Sequence, residues 1–440
     1  MSQNKLSTQP YKGARDFYPQ EMRVENYIFD TWRRVCKSFG FEEYSFPIIE
    51  PFEIFASKTG EEIVNEQLYS FEDRGGRKLA IRPELTPGTV RMLAQKYKET
   101  PQPIKWFMIG NNWRFEKPQT GRGREFYQLE ANIFGVNEVE ADFEIIQLIV
   151  AIMQAFGAKK DMYQIKVSDR KSINALLSEV LKLDPELQPK VRRLMDKREK
   201  LTRADFIASL TDLGLNEPAV EQIEVFMTSD FAGLNIPQDN LGYQTLQRLF
   251  HYLKNAGVNA EIKFDPSIIR GFDYSDGIVY EVFDTNPNNL RSLFGGERFD
   301  KLINIFGDYD LPSTGFAMGD CTLLEFLKGW KLLPESKSSV DYLVTVWSSK
   351  DSKFLLKSQE IASKLRLQGK NVFCWTETDT KLEKQLKYAD KKGIPQVVII
   401  GEEELAKGMI TIKDLRTGEQ TALLFTQQQD PRDSQLNHFI

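Results

Sequence analysis

The chain has 440 residues, of which 41% are hydrophobic and 28% are charged, and its formal net charge at pH 7 is −5. This length exceeds what one hydrophobic core usually serves, so we expect two or three domains. The acidic balance argues against a protein whose whole surface attracts nucleic acid, but it permits local basic patches. The longest nearly apolar stretch, residues 145–156, is too short to span a bilayer and predicts a buried helix capped by Gly157.

The N-terminus, the cysteines and the histidines narrow the class further. The first ten residues lack the positive head and apolar core of a secretory signal, so we expect a cytoplasmic protein that does not contact a membrane. Cys36, Cys321 and Cys374 are far apart and odd in number, which argues against a disulfide framework or a zinc site. Of the two histidines, His438 is almost terminal and His251 lies in a helical pattern without a ligand-spaced partner. Catalysis should therefore come from Arg, Lys, carboxylates or backbone groups, with no protein-bound metal.

Residues 8–160 alternate helical and strand patterns around two strand-like runs, 104–113 and 125–134. The second run alternates, so that one face should carry Phe126, Gln128, Glu130 and Asn132. The turn between the runs is rich in charge and carries Arg114, Glu116, Lys117, Arg122 and Arg124. Arginine forks match phosphate oxygens bidentately, which favours a triphosphate site. From these residues alone, a solvated hairpin held by salt bridges is the alternative.

The rest of the chain changes character twice. Residues 161–257 are mostly charged and helical in pattern, and strands are expected at 260–264 and 278–283. A polar segment with Pro and Ser, residues 334–339, predicts a linker. Beyond it, strands at 341–347 and 396–400 alternate with helices at 351–367 and 381–392, which predicts a small α/β domain.

Seven segments resemble those of the class II aminoacyl-tRNA synthetases, in the form found in histidyl-tRNA synthetases, and they follow one another along the chain in the family's order. Residues 113–135 resemble the second class II motif. Residues 12–19 resemble the family's opening signature, and residues 46–51 resemble the first class II motif. Residues 82–87 resemble the amino-acid-binding loop, residues 269–274 and 294–300 resemble two motifs peculiar to the histidyl branch, and residues 315–320 resemble the third motif.

The resemblance implies an α+β fold, with an antiparallel-sheet catalytic domain in residues 1–333 and a helical insertion at about 165–257. A linker at 334–339 would lead to an α/β anticodon-binding domain in residues 340–440. It also implies ATP, accompanied by Mg²⁺, together with histidine and tRNA(His) as partners, and a homodimer formed through the segment around Pro47.

The resemblance assigns roles residue by residue. The activation step joins the carboxylate of the amino acid to the α-phosphate of ATP, so cations must meet the charge that builds there. Arg270 would carry catalysis in the place where other class II enzymes use a metal ion; from the residues alone, an ion pair with Asp273 is the alternative. ATP would be bound by Arg114, Glu116 and Arg122. The α-ammonium group would be bound by Glu84, Thr86 and Gln128. The side chain of the amino acid would be bound by Glu130, Asn132, Tyr274 and Ser275.

The amino-acid half of the site departs from the family pattern. Asn132 stands where a carboxylate usually reads the imidazole, and Glu130, two residues earlier on the same face, could supply it. Ser275 and Phe299 replace tyrosines, and Glu297 replaces a glycine. Thr322 stands in the place of the arginine of the third motif, and Arg270 could cover part of that loss. Two readings follow: a histidine–tRNA ligase with an altered pocket, or a paralogue that takes another amino acid or regulates histidine biosynthesis. The C-terminal domain favours the first.

Overall fold

The structure, a computed structural model, describes residues 6–56, 63–198, 201–258, 261–269, 275–289, 291–335 and 338–424. The chain divides into two compact units, Met1–Leu333 and Pro334–Ile440. None of the helices in the described ranges combines the length and the apolar composition that crossing a bilayer requires.

The first unit contains the elements that carry the site. Its helices are α1 (Pro19–Ser38), α2 (Phe52–Ala56), α3 (Thr86–Lys96), α4 (Glu140–Ala155), α5 (Arg170–Ala175), α6 (Gln188–Asp196), α7 (Arg203–Asp212), α8 (Glu217–Thr228), α9 (Leu241–Asn255) and α10 (Asp320–Gly329). Its strands are β1 (Glu42–Glu43), β2 (Ile49–Pro51), β3 (Ser70–Glu72), β4 (Lys78–Ile81), β5 (Ile104–Trp113), β6 (Glu125–Phe134), β7 (Tyr163–Asp169), β8 (Ile262–Phe264), β9 (Ile278–Asp284), β10 (Ser292–Arg298) and β11 (Ser313–Gly319).

An eight-stranded sheet forms the centre of this unit, in the order β1-β5-β6-β11-β10-β9-β7-β8. Strands β5 and β6 pair antiparallel along their whole length, which confirms the hairpin that the sequence predicts. Strands β9, β10 and β11 continue the antiparallel pattern, and the outer strands β1 and β8 join in parallel. The predicted antiparallel catalytic sheet is therefore confirmed.

One face of this sheet is covered by helices. Leu129, Ala131 and Ile133 of β6 are buried against α1 and α4, through side chains such as Trp32 and Ile149. Helix α4 is apolar on nearly all sides because α1 and α9 pack on it as well as the sheet. Gly157 follows it with a φ of +85°, as the predicted glycine cap requires.

The first helix of the insertion begins at Arg170, a few residues after the expected start at about 165, because a strand occupies the residues before it. Residues 163–169 form β7, which pairs with β8 and β9 in the main sheet, and helices α5 to α9 follow between Arg170 and Asn255. Asp169 starts α5 by accepting hydrogen bonds from the backbone N–H groups of Lys171 and Ser172.

The second unit contains a five-stranded sheet in the order β13-β12-β14-β15-β16, in which β12 is parallel to both neighbours. Two apolar clusters cover its faces, one around Ile361 and Val398 and the other around Ala389 and Val397. The predicted alternation of strand and helix is confirmed. The elements are β12 (Tyr342–Val344), α11 (Lys353–Leu367), β13 (Val372–Cys374), α12 (Leu382–Lys391), β14 (Gln396–Ile399), α13 (Glu402–Lys407), β15 (Met409–Asp414) and β16 (Gln420–Leu424).

A buried cluster of charges ties the N-terminal segment to the sheet. Asp320, at the start of α10, accepts hydrogen bonds from the guanidinium group of Arg15 (2.5 Å) and from the backbone N–H of Tyr127 (2.9 Å). Glu25 of α1 lies beside Asp320 and is 1% exposed. Burial, followed by the hydrogen bond and the charge of Asp320, raises the pKa of Glu25 to about 8. Glu25 therefore keeps its proton at neutral pH.

This cluster makes stability depend on pH. Folded Glu25 keeps its proton up to about pH 8, whereas the unfolded chain loses it near pH 4.5. Between these values the folded state binds more protons, so this group stabilises the fold less as pH rises, by at most about 1.4 kcal/mol per pH unit. We expect Glu25→Gln to remove this dependence. The melting temperature of the variant, relative to that of the wild type, should therefore rise as the pH is raised from 5.5 to 8.

Thermal unfolding of both proteins across that range is the measurement. The matched control is Glu21→Gln, an exposed carboxylate on the same helix, whose difference from the wild type should not change with pH. If the melting temperatures of Glu25→Gln and the wild type differed by a constant amount over this range, the raised pKa of Glu25 would be contradicted.

Candidate active site

A cavity of about 600 Å³ opens on the face of the large sheet opposite α1 and α4. The strands β6, β10 and β11, the loop between β5 and β6, and the segment before α3 supply its lining. The predicted residues that line it are Glu84, Thr86, Arg114, Glu116, Arg122, Gln128, Glu130 and Asn132. The structure thus brings together residues that lie up to 48 positions apart, from Glu84 to Asn132.

The floor of the cavity is open because small residues occupy its centre. Gly315 lies directly between Asn132 of β6 and Glu297 of β10 in the register of the sheet. A Cβ atom on Gly315 would come within 1.8 Å of Asn132 Oδ1. Ala317 and Gly319 continue the same row on β11 and also line the cavity. Strand β11 is therefore a low floor between two polar walls.

Glu130 is the most deeply held carboxylate at this floor. Its side chain accepts hydrogen bonds from the hydroxyls of Thr86 (2.5 Å), Thr89 (2.7 Å) and Tyr44 (2.8 Å). Thr86 and Thr89 are three residues apart on α3 and so share one face of the helix. Burial raises the pKa of Glu130, and these hydrogen bonds oppose that rise. Glu130 is 1% exposed, and within the described ranges it forms no ion pair, so neither of the usual arrangements of a strand glutamate applies there.

Glu130 and Asn132 together offer both kinds of hydrogen-bonding atom. An ionised carboxylate has about four acceptor positions, and three are used by hydroxyls. Asn132 lies two residues along the same face, and its Nδ2 is buried with no hydrogen-bond partner among the described residues. Nδ2 carries two N–H groups, so its approach to Glu130, which helps to lower the pKa of that carboxyl, leaves a second donor. The pair thus offers the cavity an amide donor beside a carboxylate.

The loop between β5 and β6 supplies the cationic end of the cavity. The Nε of Arg114 donates to the carbonyl of Pro83 (2.9 Å), and the guanidinium lies 5.3 Å from the centre of the Phe126 ring. Arg122 forms an ion pair with Glu116 across the loop. Such guanidinium groups can bind a polyphosphate. Without one, the carbonyl of Pro83 and the carboxylate of Glu116 hold them in place.

The segment before α3 is anchored by Arg82. Its guanidinium donates to the carbonyls of Phe46 and Asn111, each at 2.8 Å, and is buried between them. This anchors Glu84, which is 5% exposed, at the cavity wall. Gln128 of β6 lines the same cavity, with its Oε1 accepting a hydrogen bond from Asn112 (3.0 Å). Two polar side chains thus belong to this part of the lining.

Two predicted site residues, Arg270 and Tyr274, lie outside the described residues, as does Asp273, the alternative partner of Arg270. Ser275 is described but is not part of the cavity lining; it is buried, and its hydroxyl donates to Glu297, which does line the cavity. Phe299 also lines the cavity, and its ring packs edge-on against Phe134 at 6.1 Å.

The opening segment of the chain supports the charged loop. The carbonyl of Gly13 accepts hydrogen bonds from the backbone N–H groups of Arg124 (2.8 Å) and Glu125 (3.2 Å). Gly13 has a φ of +91°, and a Cβ there would come within 2.8 Å of the Arg124 side chain. Only glycine allows this close approach without strain. Residues 12–19 are therefore part of the frame of the site.

Sequence reasoning missed three residues that contribute here: Tyr44, Thr89 and Arg291. The spacing of Thr89 from Thr86 was an available signal, since i and i+3 positions lie together on a helix. Tyr44 precedes the predicted interface segment by two residues and carries no pattern of its own. Arg291 follows a polar loop, where a basic residue is usually solvated. Within the described ranges, no group of three or more His, Cys, Asp or Glu side chains is placed to hold a metal ion.

Comparison with known proteins agrees with this arrangement. The family model described as histidyl-tRNA synthetase matches residues 13–320, and the model described as anticodon binding domain matches residues 341–427. A histidine–tRNA ligase of Leptospira biflexa is 39% identical over 432 residues, covering 97% of this chain and 98% of the relative. The chain belongs to the histidyl-tRNA synthetase family.

Another member and a solved structure extend the comparison. The chloroplastic/mitochondrial histidine–tRNA ligase of Arabidopsis thaliana is 36% identical, covering 94% of this chain and 85% of the relative. The crystal structure of histidyl-tRNA synthetase from Nostoc sp. superposes with a TM-score of 0.81 at 24% identity, covering 96% and 97% of the two chains. That likeness concerns the fold, and it confirms the predicted class II architecture with a separate C-terminal domain.

Proposed function

We propose that this protein is an ATP-dependent histidine–tRNA ligase. The histidine carboxylate attacks the α-phosphate of ATP and releases pyrophosphate, and the histidyl group then passes to tRNA(His) with release of AMP. Near-full-length similarity to proteins of that name supports the activity. The observation that carries the choice of amino acid is the pair formed by Glu130 and Asn132. A neutral imidazole presents one N–H donor and one ring nitrogen acceptor. Glu130 offers the acceptor and Asn132 Nδ2 the donor that such a ring needs. No finding favours the regulatory paralogue.

We assign the substrates to the two ends of the cavity. Glu84, Thr86 and Gln128 receive the α-ammonium group, the carboxylate through charge and the others through oxygen acceptors. The hydroxyl of Thr86 donates to Glu130, so its lone pairs remain available to an ammonium donor. Tyr274 and Ser275 complete the ring pocket. Thr86 thereby links the two parts of the amino-acid subsite.

ATP occupies the cationic end. Arg114 contacts the α-phosphate, Glu116 lies on the adenine side, and Arg122 contacts the distal phosphates. Binding of ATP would then exchange the ion pair between Arg122 and Glu116 for contacts with the nucleotide. Mg²⁺ would accompany ATP and neutralise part of the phosphate charge, and Glu281 on the cavity wall would offer the carboxylate oxygen that this ion prefers.

Arg270 carries catalysis in this proposal. Attack by the histidine carboxylate builds negative charge on the α-phosphate oxygens, and a fixed guanidinium stabilises that charge in the transition state. Arg270→Ala should lower the rate of histidine charging to tRNA(His) by about two to four decades, while ATP binding changes less, as for a contact made mainly in the transition state.

Single-turnover charging and ATP binding, measured on the full chain, test this role. If Arg270→Ala charged within threefold of the wild type, Arg270 would not be the catalytic residue. If the wild type failed to charge tRNA(His) at all, the function itself would be wrong.

The ring pocket gives a second prediction. Glu130→Gln and Asn132→Ala should each raise the KM for histidine about 5- to 150-fold, because a lost partner leaves a buried ring nitrogen unpaired at a cost of about 1–3 kcal/mol. The KM for ATP should change little. Steady-state pyrophosphate exchange measures both, and Asn304→Ala, an exposed position outside the cavity, is the matched control. Unchanged KM values for histidine in both variants would remove these residues from the pocket.

We also propose that the protein is a cytoplasmic homodimer. Exposed apolar side chains support the dimer: Ile48 is 39% exposed, Ile49 43% and Phe71 41%. Ile49 and Phe71 lie on the small sheet formed by β2, β4 and β3, beside Pro47. Burial of such a patch against its own copy is typical of two-fold interfaces. Sedimentation at micromolar concentration should give about twice the 50.8 kDa chain mass, and a 51 kDa species alone would contradict the dimer.

The two units then divide the work. Residues 1–333 bind and activate the amino acid, with the helical insertion at about 165–257, and residues 334–339 are the linker. Residues 340–440 bind the anticodon of tRNA(His), as the match to the anticodon-binding model supports.

A further inference from the structure

Arg291 enters the cavity from a position that is fixed by its own backbone. Its N–H donates to the carbonyl of Asn289 (2.7 Å), and its carbonyl accepts from the N–H of Asp284 (3.2 Å). The loop before it folds around the buried carboxylate of Asp284, which accepts hydrogen bonds from Asn286 (2.8 Å), Asn289 (2.9 Å) and Trp330 (2.9 Å). The base of this exposed side chain therefore has a defined place at the start of β10.

The guanidinium of Arg291 reaches the charged loop of the site. Its Nη1 donates to the carbonyl of Thr120 (3.1 Å), two residues before Arg122, and both arginines line the cavity. Arg122 is held by the carboxylate of Glu116. In the described part of the chain, by contrast, no carboxylate forms an ion pair with Arg291. Four of its five N–H donors make no hydrogen bond within those ranges, so this fork can take an anion.

Thr322 leaves its own position in the cavity without a cation. It lines the same cavity, and its hydroxyl donates to the carbonyl of Leu293 (2.7 Å), two residues after Arg291. A Cβ on Gly121, at the tip of the charged loop, would lie 3.9 Å from Thr322 Cγ2. The loop tip thus lies over a short, uncharged side chain at the position where the family's third motif has an arginine. A guanidinium is present beside it, but it comes from the start of β10.

We propose that Arg291 binds the distal phosphates of ATP together with Arg122, in the role that Thr322 cannot fill. This inference rests on the proposed function for its nucleotide. The pyrophosphate that leaves ATP carries several negative charges, and two guanidinium forks in the same cavity match them better than one. Arg291 is thus a substrate-binding residue, supplied by the segment just before the motif at residues 294–300.

The test compares nucleotides that differ only in their phosphates. Arg291→Ala should weaken ATP binding about 10- to 100-fold, because hydrogen bonds between charged groups are lost, while AMP binding stays within threefold. Arg291→Lys should recover part of the ATP affinity, since it keeps the charge without the fork. Isothermal titration of ATP and AMP on the full chain measures both. The matched control is Arg203→Ala, an exposed arginine of α7 outside the cavity, which should bind both nucleotides as the wild type does.

Three results would overturn the proposal. ATP affinity within threefold of the wild type would remove Arg291 from the site. An equal loss for ATP and AMP would make it a support of the loop, and a lysine variant as weak as alanine would exclude a role for its charge. Pyrophosphate exchange with histidine is measured in parallel. If the wild type shows no exchange but the ATP effect persists, the proposed function fails and the role of Arg291 stands.

Discussion

A carboxylate removed from water must be given hydrogen-bond donors, and the amino-acid half of this site depends on how Glu130 meets that demand. Its three donors come from two parts of the chain, Tyr44 after β1 and Thr86 with Thr89 on α3. Loss of any one would leave a buried acceptor unsatisfied. The start of α3 is therefore held to strand β6 by the same contacts that orient the carboxylate. The same three hydrogen bonds therefore fix both the position of α3 and the orientation of the Glu130 carboxylate.

The sheet imposes the complementary constraint. Its covered face must be apolar to pack on α1 and α4, so polar side chains of β6 can only point to the other face. On that face β11 carries Gly315, Ala317 and Gly319, and the space above them is the cavity. Asp320 then ends β11 and holds both Arg15 and the backbone of Tyr127. Segments distant in sequence thus meet at the end of one strand.

Much of this could be predicted from the sequence because it is periodic or local. The alternation of β6 places Gln128, Glu130 and Asn132 on one face whatever the tertiary fold. The partners of Glu130 could not be predicted in this way, since Tyr44 reaches it only through the packing of β1 on β5. Arg291 could not be predicted either. Its sequence surroundings are those of a solvated loop, and only the pairing of β9 with β10 brings that loop to the cationic end of the cavity.

The departures from the family pattern acquire a physical meaning in this arrangement. In the proposed pocket the carboxylate belongs to Glu130, where hydroxyls stabilise it, and Asn132 contributes an amide donor. In the proposed nucleotide subsite, Arg291 takes the role of the arginine that is absent at Thr322. Glu297 fills space beside Ser275, which is smaller than the tyrosine of the family and donates to it. Under these proposals, each half of the cavity has the type of group that its substrate requires, at a different position in the chain.

The central claim is that this rearranged pocket still selects histidine. Pyrophosphate exchange with ATP, measured on the full chain against each of the twenty amino acids, tests it most directly. We expect histidine to support exchange and the other nineteen to give rates at background. Faster exchange with another amino acid, or none with histidine, would contradict it.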